Sequence, residues 1–553
     1  MKTGIPTLAI LALLGGLTPV ASAQLTQKLI ADGGDDGDRF GSSVSISGDG
    51  STILIGAPDD ETTAPGAGSA YVFNRSTTTG AWNQTTQLLA ADGVNGDQFG
   101  ESVAISGDTA LIGASSDDSA GVNQGSAYVF DFDSGTGSWS ETVQLFGLNG
   151  AGGDLFGTAV ALQGDTAVVG APFATALTGN AGNAAIFTRD MAGTWTQTGF
   201  LFSSIDTNDD MFGAAVALDT GVAVVGCPKS DDAGDGSGSA YVFEFDAGSG
   251  IWVETAILTA SDAEADDEFG RSVAISGDRI LVGAPGWDNG TGSSDNTGAG
   301  YVFVRSGMTW VEDTMLTTMG GAADDAMGTS VAISGRLAAL GAPGDDSAGV
   351  DAGAVRFFEI ELGGTAWLES GEFSAGTGGE ELGNPVDLCG ALTVAGASRD
   401  GASGANAGAG HVTPTQFTSL LADPPTVSIS AGGVQTMLLG APIEEANRIY
   451  ILAGSGLGTF PGFPLGGGKT LPLNFDAYLV FLLGNPNPGF LPGSSGILNG
   501  EGMGMAALNV VGGVLPATTI GLTLNHAYLT LFIGGGIFDV SFVSNPDEIT
   551  LVP

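Results

Sequence analysis

One phrase recurs down this chain and constrains its fold more than any other feature: D-x-F-G-x-S-V-A-I-S-G-D-x-A-L-V-G-A-P, followed by an acidic loop and G-S-A-Y-V-F. Its opening pair stands at Phe40-Gly41, Phe99-Gly100, Phe156-Gly157, Phe212-Gly213 and Phe269-Gly270, then weakens to Met327-Gly328 and Leu382-Gly383. The second landmark falls at Gly56-Ala57-Pro58, Gly113-Ala114-Ser115, Gly170-Ala171-Pro172, Gly226-Cys227-Pro228, Gly283-Ala284-Pro285, Gly341-Ala342-Pro343 and Gly396-Ala397-Ser398. Both landmarks count seven copies, spaced 55 to 59 residues apart. A unit of that length cannot bury its apolar face alone, so the copies must pack on one another.

Each copy reads as four short strands. In the second, Ser102 to Ser106 alternates small or polar with apolar residues, and Gly107-Asp108 is a two-residue turn that tolerates positive φ. Thr109 to Ile112, Ser126 to Phe130 and Trp139 to Phe146 follow as the second, third and fourth strands. Four antiparallel strands repeated radially predict an all-β, seven-bladed β-propeller, which manages its exposed edges by closing into a ring. Trp82, Trp139, Trp195, Trp252, Trp310 and Trp367 open the fourth strands of six copies, but the seventh ends near His411 to Phe417 without one. The sequence from Gln24 to Ala31 matches the pattern of Asn83 to Ala90, so the N-terminal segment is expected to complete the last blade.

These phrases resemble the FG-GAP repeats of integrin α-subunit propellers, and more closely a bacterial secreted subgroup with the same wording; the resemblance spans roughly residues 24 to 416. It implies extracellular binding or adhesion, often with calcium structuring the loops. Integrin-type repeats hold calcium in an extended Asp-x-Asp-x-Asp-Gly hairpin between the first two strands. Here that hairpin is Gly107-Asp108, Gly164-Asp165 or Gly277-Asp278, too short to surround an ion, so those sites do not transfer.

Residues 1–23 hold Lys2, an apolar run and Ala21-Ser22-Ala23, which reads as a secretory signal and predicts a secreted or cell-surface protein. No later stretch is long and apolar enough for a transmembrane helix. The formal net charge is -47, from 61 acidic against 14 basic residues, and only seven of the acids lie beyond Pro424. Such charge repels nucleic acid and favours cations. Cys227 and Cys389 lie too far apart in the repeats for disulfides to organise the fold. A linker over 417–425, with Pro424-Pro425, leads to 426–553, read as a small β-sandwich-like domain with strands including Thr426 to Ser430, Arg448 to Ala453, Ala477 to Leu483 and Tyr528 to Ile533.

The acidic residues gather in two loop classes. Between the second and third strands stand Asp59-Asp60-Glu61, Asp117-Asp118, Asp231-Asp232, Asp288 with Asp295, and Asp345-Asp346. Before the Phe-Gly pair stand Asp38, Asp97, Asp210, Asp267 and Asp325 with their acidic neighbours. In an up-and-down blade both classes emerge on one face, which predicts a ring of negative charge. Clustered carboxylates suit a hard divalent cation, and calcium at Asp59, Asp60, Asp117, Asp118, Asp231, Asp232, Asp345 and Asp346 is the candidate metal reading, beside a solvated acidic surface as the alternative. Trp287, out of phase with the six other tryptophans, is the candidate for ligand stacking. With only His411 and His526 and no nucleophile arrangement, an enzyme is not expected. The expected function is an extracellular binding or adhesion propeller for a glycan or protein. A structural matrix or surface-layer component is the second reading and a carbohydrate-active enzyme the third.

Overall fold

The computed structural model describes residues 26–414 apart from 77–78, 176–180, 206–208, 290–294, 319–320, 361–365, 375–377, 391 and 402–403, together with the backbone of strands between Leu420 and Val552. No described residue is helical. Residues 1–25, and with them the proposed signal, lie outside the described residues, as does the sequence-read strand 477–483.

Seven four-stranded antiparallel sheets form the ring, a seven-bladed β-propeller. In the first blade β2 (Ser43–Ile46) pairs with β3 (Thr52–Ala57), which pairs with β4 (Ser69–Arg75), which pairs with β5 (Trp82–Leu88). First strands of adjacent blades, such as β2 and Ser102–Ser106, lie side by side around the axis, so the Trp-led fourth strands are outermost. The seventh blade takes its outer strand from the other end of the chain: β1 (Gln27–Leu29) pairs antiparallel with Ala409–Pro414, Lys28 opposite His411.

Blades are joined by seven parallel bridges of one kind. Gly68 meets Phe99, Gly125 meets Phe156, and so on round to Gly408, which meets Phe40 and closes the circle. The Phe-Gly pair makes this joint. Phe40 is fully buried, with its ring edge-on to Tyr71 at 5.4 Å. Gly100 sits at φ +95°, and a Cβ there would come within 2.2 Å of the Ser69 carbonyl oxygen, so only glycine fits. A β-bulge recurs in blades one to six between third and fourth strands, at Val72/Phe73, Val129/Phe130, Ile186/Phe187, Val242/Phe243, Val302/Phe303 and Phe357/Phe358. Its repetition at one register marks it as part of the blade's twist.

Cys227 and Cys389 are buried and not disulfide-bonded, their thiols donating to the Asp210 and Gly48 carbonyls. Beyond the ring, Leu420–Asp423, Gly433–Gly440 and Met503–Val510 form a three-stranded sheet, and Thr523–Gly534 lies within a six-stranded one with Ile449–Ser455 and Asp547–Val552 among its neighbours.

Candidate functional site

The two acidic loop classes do share a face, because backbone hydrogen bonds tie them together. Gln98 and Phe99 N–H groups, just before the second blade, donate to Gly66 and Ala67 carbonyls of the first blade's second-to-third loop at 3.1 and 3.0 Å. Arg39 and Phe40 donate likewise to Asn406 and Ala407 across the closure.

Beneath this face lies one equivalent position per blade, the third residue beyond the second strand. Its N–H donates to the strand's last carbonyl and its own carbonyl accepts from the glycine before the third strand, as Asp60 does with Ala57 and Gly68. Round the ring it is occupied by Asp60, Asp117, Ala174, Ser230, Trp287, Asp345 and Asp400. Each faces a cross-strand pair from the third and fourth strands: Tyr71 with Gln87, Tyr128 with Gln144, Ala185 with Phe200, Tyr241 with Ile257, Tyr301 with Met315, Arg356 with Glu372, and His411 with Lys28.

The chemistry of the pair follows the central residue. Asp117 Oδ2 accepts from Ser126 Oγ at 2.5 Å, Tyr128 Oη at 2.8 Å and Gln144 Nε2 at 2.7 Å. Asp60 repeats the set with Ser69, Tyr71 and Gln87. Asp345 pairs with Arg356, and Asp400 with Lys28. A buried carboxylate is tolerated only when its oxygens are satisfied. Burial pushes the Asp60, Asp117 and Asp345 carboxyls up, but the donors around them outweigh it and hold all three below the usual range.

The remaining candidates are exposed or half-exposed and hold the loops in shape. Asp118 Oδ1 accepts the Asn123 N–H at 2.7 Å, Asp231 that of Gly236 at 2.8 Å, and Asp346 that of Asp351 at 2.8 Å, each spanning five residues. Asp59 pairs with Arg39, and Asp232 accepts from Ser230 Oγ. In the second loop class, the aspartate two residues before each Phe-Gly phenylalanine is buried and caps the turn behind it: Asp38 accepts the Asp35 N–H at 2.6 Å and Asp97 that of Val94 at 2.6 Å. With little compensation, burial raises the Asp38 and Asp267 carboxyls to about 6. Trp287 is half-buried against the Tyr301 cluster, and its Nε1 donates to Asp262 at 3.2 Å. Asp262, from the neighbouring loop class, accepts the Tyr301 hydroxyl at 2.8 Å in place of the missing central carboxylate.

The FG-GAP repeat family matches residues 24–73, 82–130, 139–187, 195–243, 252–303 and 310–358, together more than half of the chain. The chain belongs to the FG-GAP repeat family. Each matched unit begins in the outer strand of one blade and ends in the third strand of the next, so sequence repeat and blade are out of step by one strand. A search of the curated proteins finds no match. Among solved structures the chain is similar to Sqt1 of Saccharomyces cerevisiae, at 11% identity and a TM-score of 0.38, over 68% of this chain and 84% of that one.

An FG-GAP propeller is in general a binding or adhesion-type fold. Among the described residues no three His, Cys, Asp or Glu side chains are grouped to hold a metal ion. Calcium needs oxygen lone pairs converging on one point. At Asp60 and Asp117 the converging groups are instead hydroxyl and amide donors, so these residues do not fit the ion. His411 is buried beside Asp400 with its ring 5.9 Å from Phe373.

Blade three of this FG-GAP ring departs from the rest. With Ala174, Ala185 and Phe200 at the network positions, a cavity of about 290 Å³ opens on the loop face between blades two and three, lined by Ala174, Phe156, Phe200, Phe202, Leu148 and Gln124 among others. The sequence from Phe173 to Gly182 contains no acid. Counting three residues beyond each second strand finds the vacancy, and finds Asp400 and Trp287 as equivalents of Asp60.

Proposed function

We propose that this FG-GAP propeller works outside the cell, binding a partner of complementary positive charge through the face made by its second-to-third and fourth-to-first loops. The observation that carries the reading is the division of labour among the acids. The buried set, Asp60, Asp117, Asp345 and Asp400, fixes the loops from below, while Asp118, Asp231 and Asp346 cap them from outside and, with Glu61 and Asp232, remain exposed on that face. A preorganised surface loses little entropy on binding, and single-sign charge raises association rates for a basic partner. The export-type sequence of residues 1–23 supports the extracellular setting.

The test is an array of extracellular matrix proteins and glycans probed with the full chain at low and high sodium chloride, in calcium and in chelator. Binding is expected to fall with salt, to persist in chelator, and to be lost in an E61K/D118K/D231K variant. Hits that ignore the charge reversal would move the site off this face.

A further inference from the structure

Departures from the repeat cluster on both sides of the boundary between blades two and three. On the third-blade side, Ala174, Ala185 and Phe200 stand where the first blade has Asp60, Tyr71 and Gln87. In the connection between the blades, Gly147 stands where the first and fourth connections carry Ala90 and Ala260. On the second-blade side, the residue before the bridging glycine is Gln124, where the other blades have Ala67, Ala181, Ser237, Thr297, Ala352 and Ala407. Truncation at three places and one added amide produce the cavity of about 290 Å³.

Two features give the cavity the character of a binding site. Its walls include a pair of phenylalanines, Phe200 and Phe202, with ring centres 5.5 Å apart and planes tilted by 31°, beside Leu148 at 59% exposure. Its polar lining is Gln124, Asn149, Asp154, Thr175 and Asn183, of which Gln124 is 7% exposed and makes no side-chain hydrogen bond among the described residues. That amide can hydrogen-bond a group entering the cavity.

Charge selects the occupant. The chain carries a net charge of -47, and exposed carboxylates stand to both sides of the cavity, at Asp118 on blade two and at Asp231 and Asp232 on blade four. Building on the reading of this face as a binding surface, we infer that the cavity takes one aromatic or leucine-sized side chain from a partner polypeptide. Lysine or arginine flanks that anchor, and a backbone amide beside it pairs with Gln124. An apolar anchor in a desolvated pocket with a charged rim is how few contacts supply most of an interface's energy.

Fluorescence anisotropy with labelled twelve-residue peptides tests this on the full chain. Peptides with a central Phe or Leu between Lys and Arg residues are expected to bind. Replacing the anchor with Ala, or the flanks with Asp, should weaken binding at least tenfold. Q124A should weaken it at least threefold with an unchanged melting temperature. A174D/A185Y/F200Q, which rebuilds the first blade's network, should abolish binding while melting no lower than the parent. Failure of every anchored peptide to bind the parent, or equal binding by the rebuilt variant, overturns the inference. So does binding of N-acetylglucosamine or mannose oligosaccharides that the rebuilt variant loses. Array partners that survive the rebuilt variant but not E61K/D118K/D231K would sink the pocket and leave the wider reading standing. Partners indifferent to both variants would sink the wider reading.

Discussion

At the scale of single residues, carboxylates with the same local sequence do opposite work, and the difference lies in what faces them. Asp117 and Asp118 are adjacent, yet one receives three side-chain donors beneath the loop and the other caps it from outside. D117A removes the acceptor that Ser126, Tyr128 and Gln144 share, leaving Tyr128 only Asp92 and Gln144 only the two hydroxyls, at a cost of about 3 kcal/mol. D118A removes one exposed cap, worth about 1 kcal/mol. Calorimetry should therefore show a clear fall in melting temperature for the first and a small one for the second; equal falls would mean that the buried network is not what holds the loop. The sequence made both residues look like one acidic cluster, because Tyr128 and Gln144 lie 11 and 27 residues from Asp117 and only strand register brings them to it. Trp287 has a register of its own. It is out of phase with the other tryptophans and in phase with Asp60 when counted from Gly-Ala-Pro.

At the scale of elements, the blade was legible because its strands are short, alternating and punctuated by glycine at fixed offsets, and these are local properties. The joints between blades were legible too, since Phe-Gly marks a place where no Cβ fits. Which cavity the ring leaves open was not, because it depends on Gln124, Gly147, Ala174 and Phe200 from four separate segments meeting at one boundary. The most consequential single element is β1. It supplies the outer edge of the seventh blade, Gln27 exchanges hydrogen bonds with the Trp82 backbone of blade one, and Lys28 neutralises the buried Asp400. Deleting residues 24–31 removes all three contributions and exposes an unpaired strand edge. The deleted protein should melt at least several degrees lower and aggregate at concentrations where the parent stays monodisperse by light scattering. K28M, which keeps the strand and removes only the ammonium partner of Asp400, should reproduce part of the melting loss without the aggregation.

At the scale of the whole molecule, the acidic charge opposes compaction, and titration separates its two parts. Burial raises Asp38, Asp267 and Asp387 to about 6, above the value near 4 of an unfolded aspartate. Asp387 lies on the innermost strand of the seventh blade, where it accepts the Ile46 N–H at 2.9 Å. These three bind their proton more tightly in the fold than out of it. Their contribution is therefore fully present below about pH 4 and lost as pH rises through about 6, so acidifying from neutrality stabilises the ring. Asp60, Asp117 and Asp345 behave in the opposite sense: held below the usual range, they contribute above about pH 4 and fail as pH drops further. The melting temperature should accordingly rise from pH 7.5 to a maximum near pH 4–5 and fall steeply on the acid side. Sodium chloride should narrow the neutral-side gap by screening, and calcium should add nothing beyond its ionic strength, because the buried carboxylates already face donors. D38N/D267N/D387N distinguishes titration of these three groups from relief of general repulsion. Asparagine keeps the accepting oxygen but cannot ionise, so this variant should melt higher than the parent at pH 7.5 and gain little on going to pH 5. A parent protein whose melting temperature falls steadily from pH 7 to 5 would show that the three aspartates are solvated in the ring and carry no burial penalty.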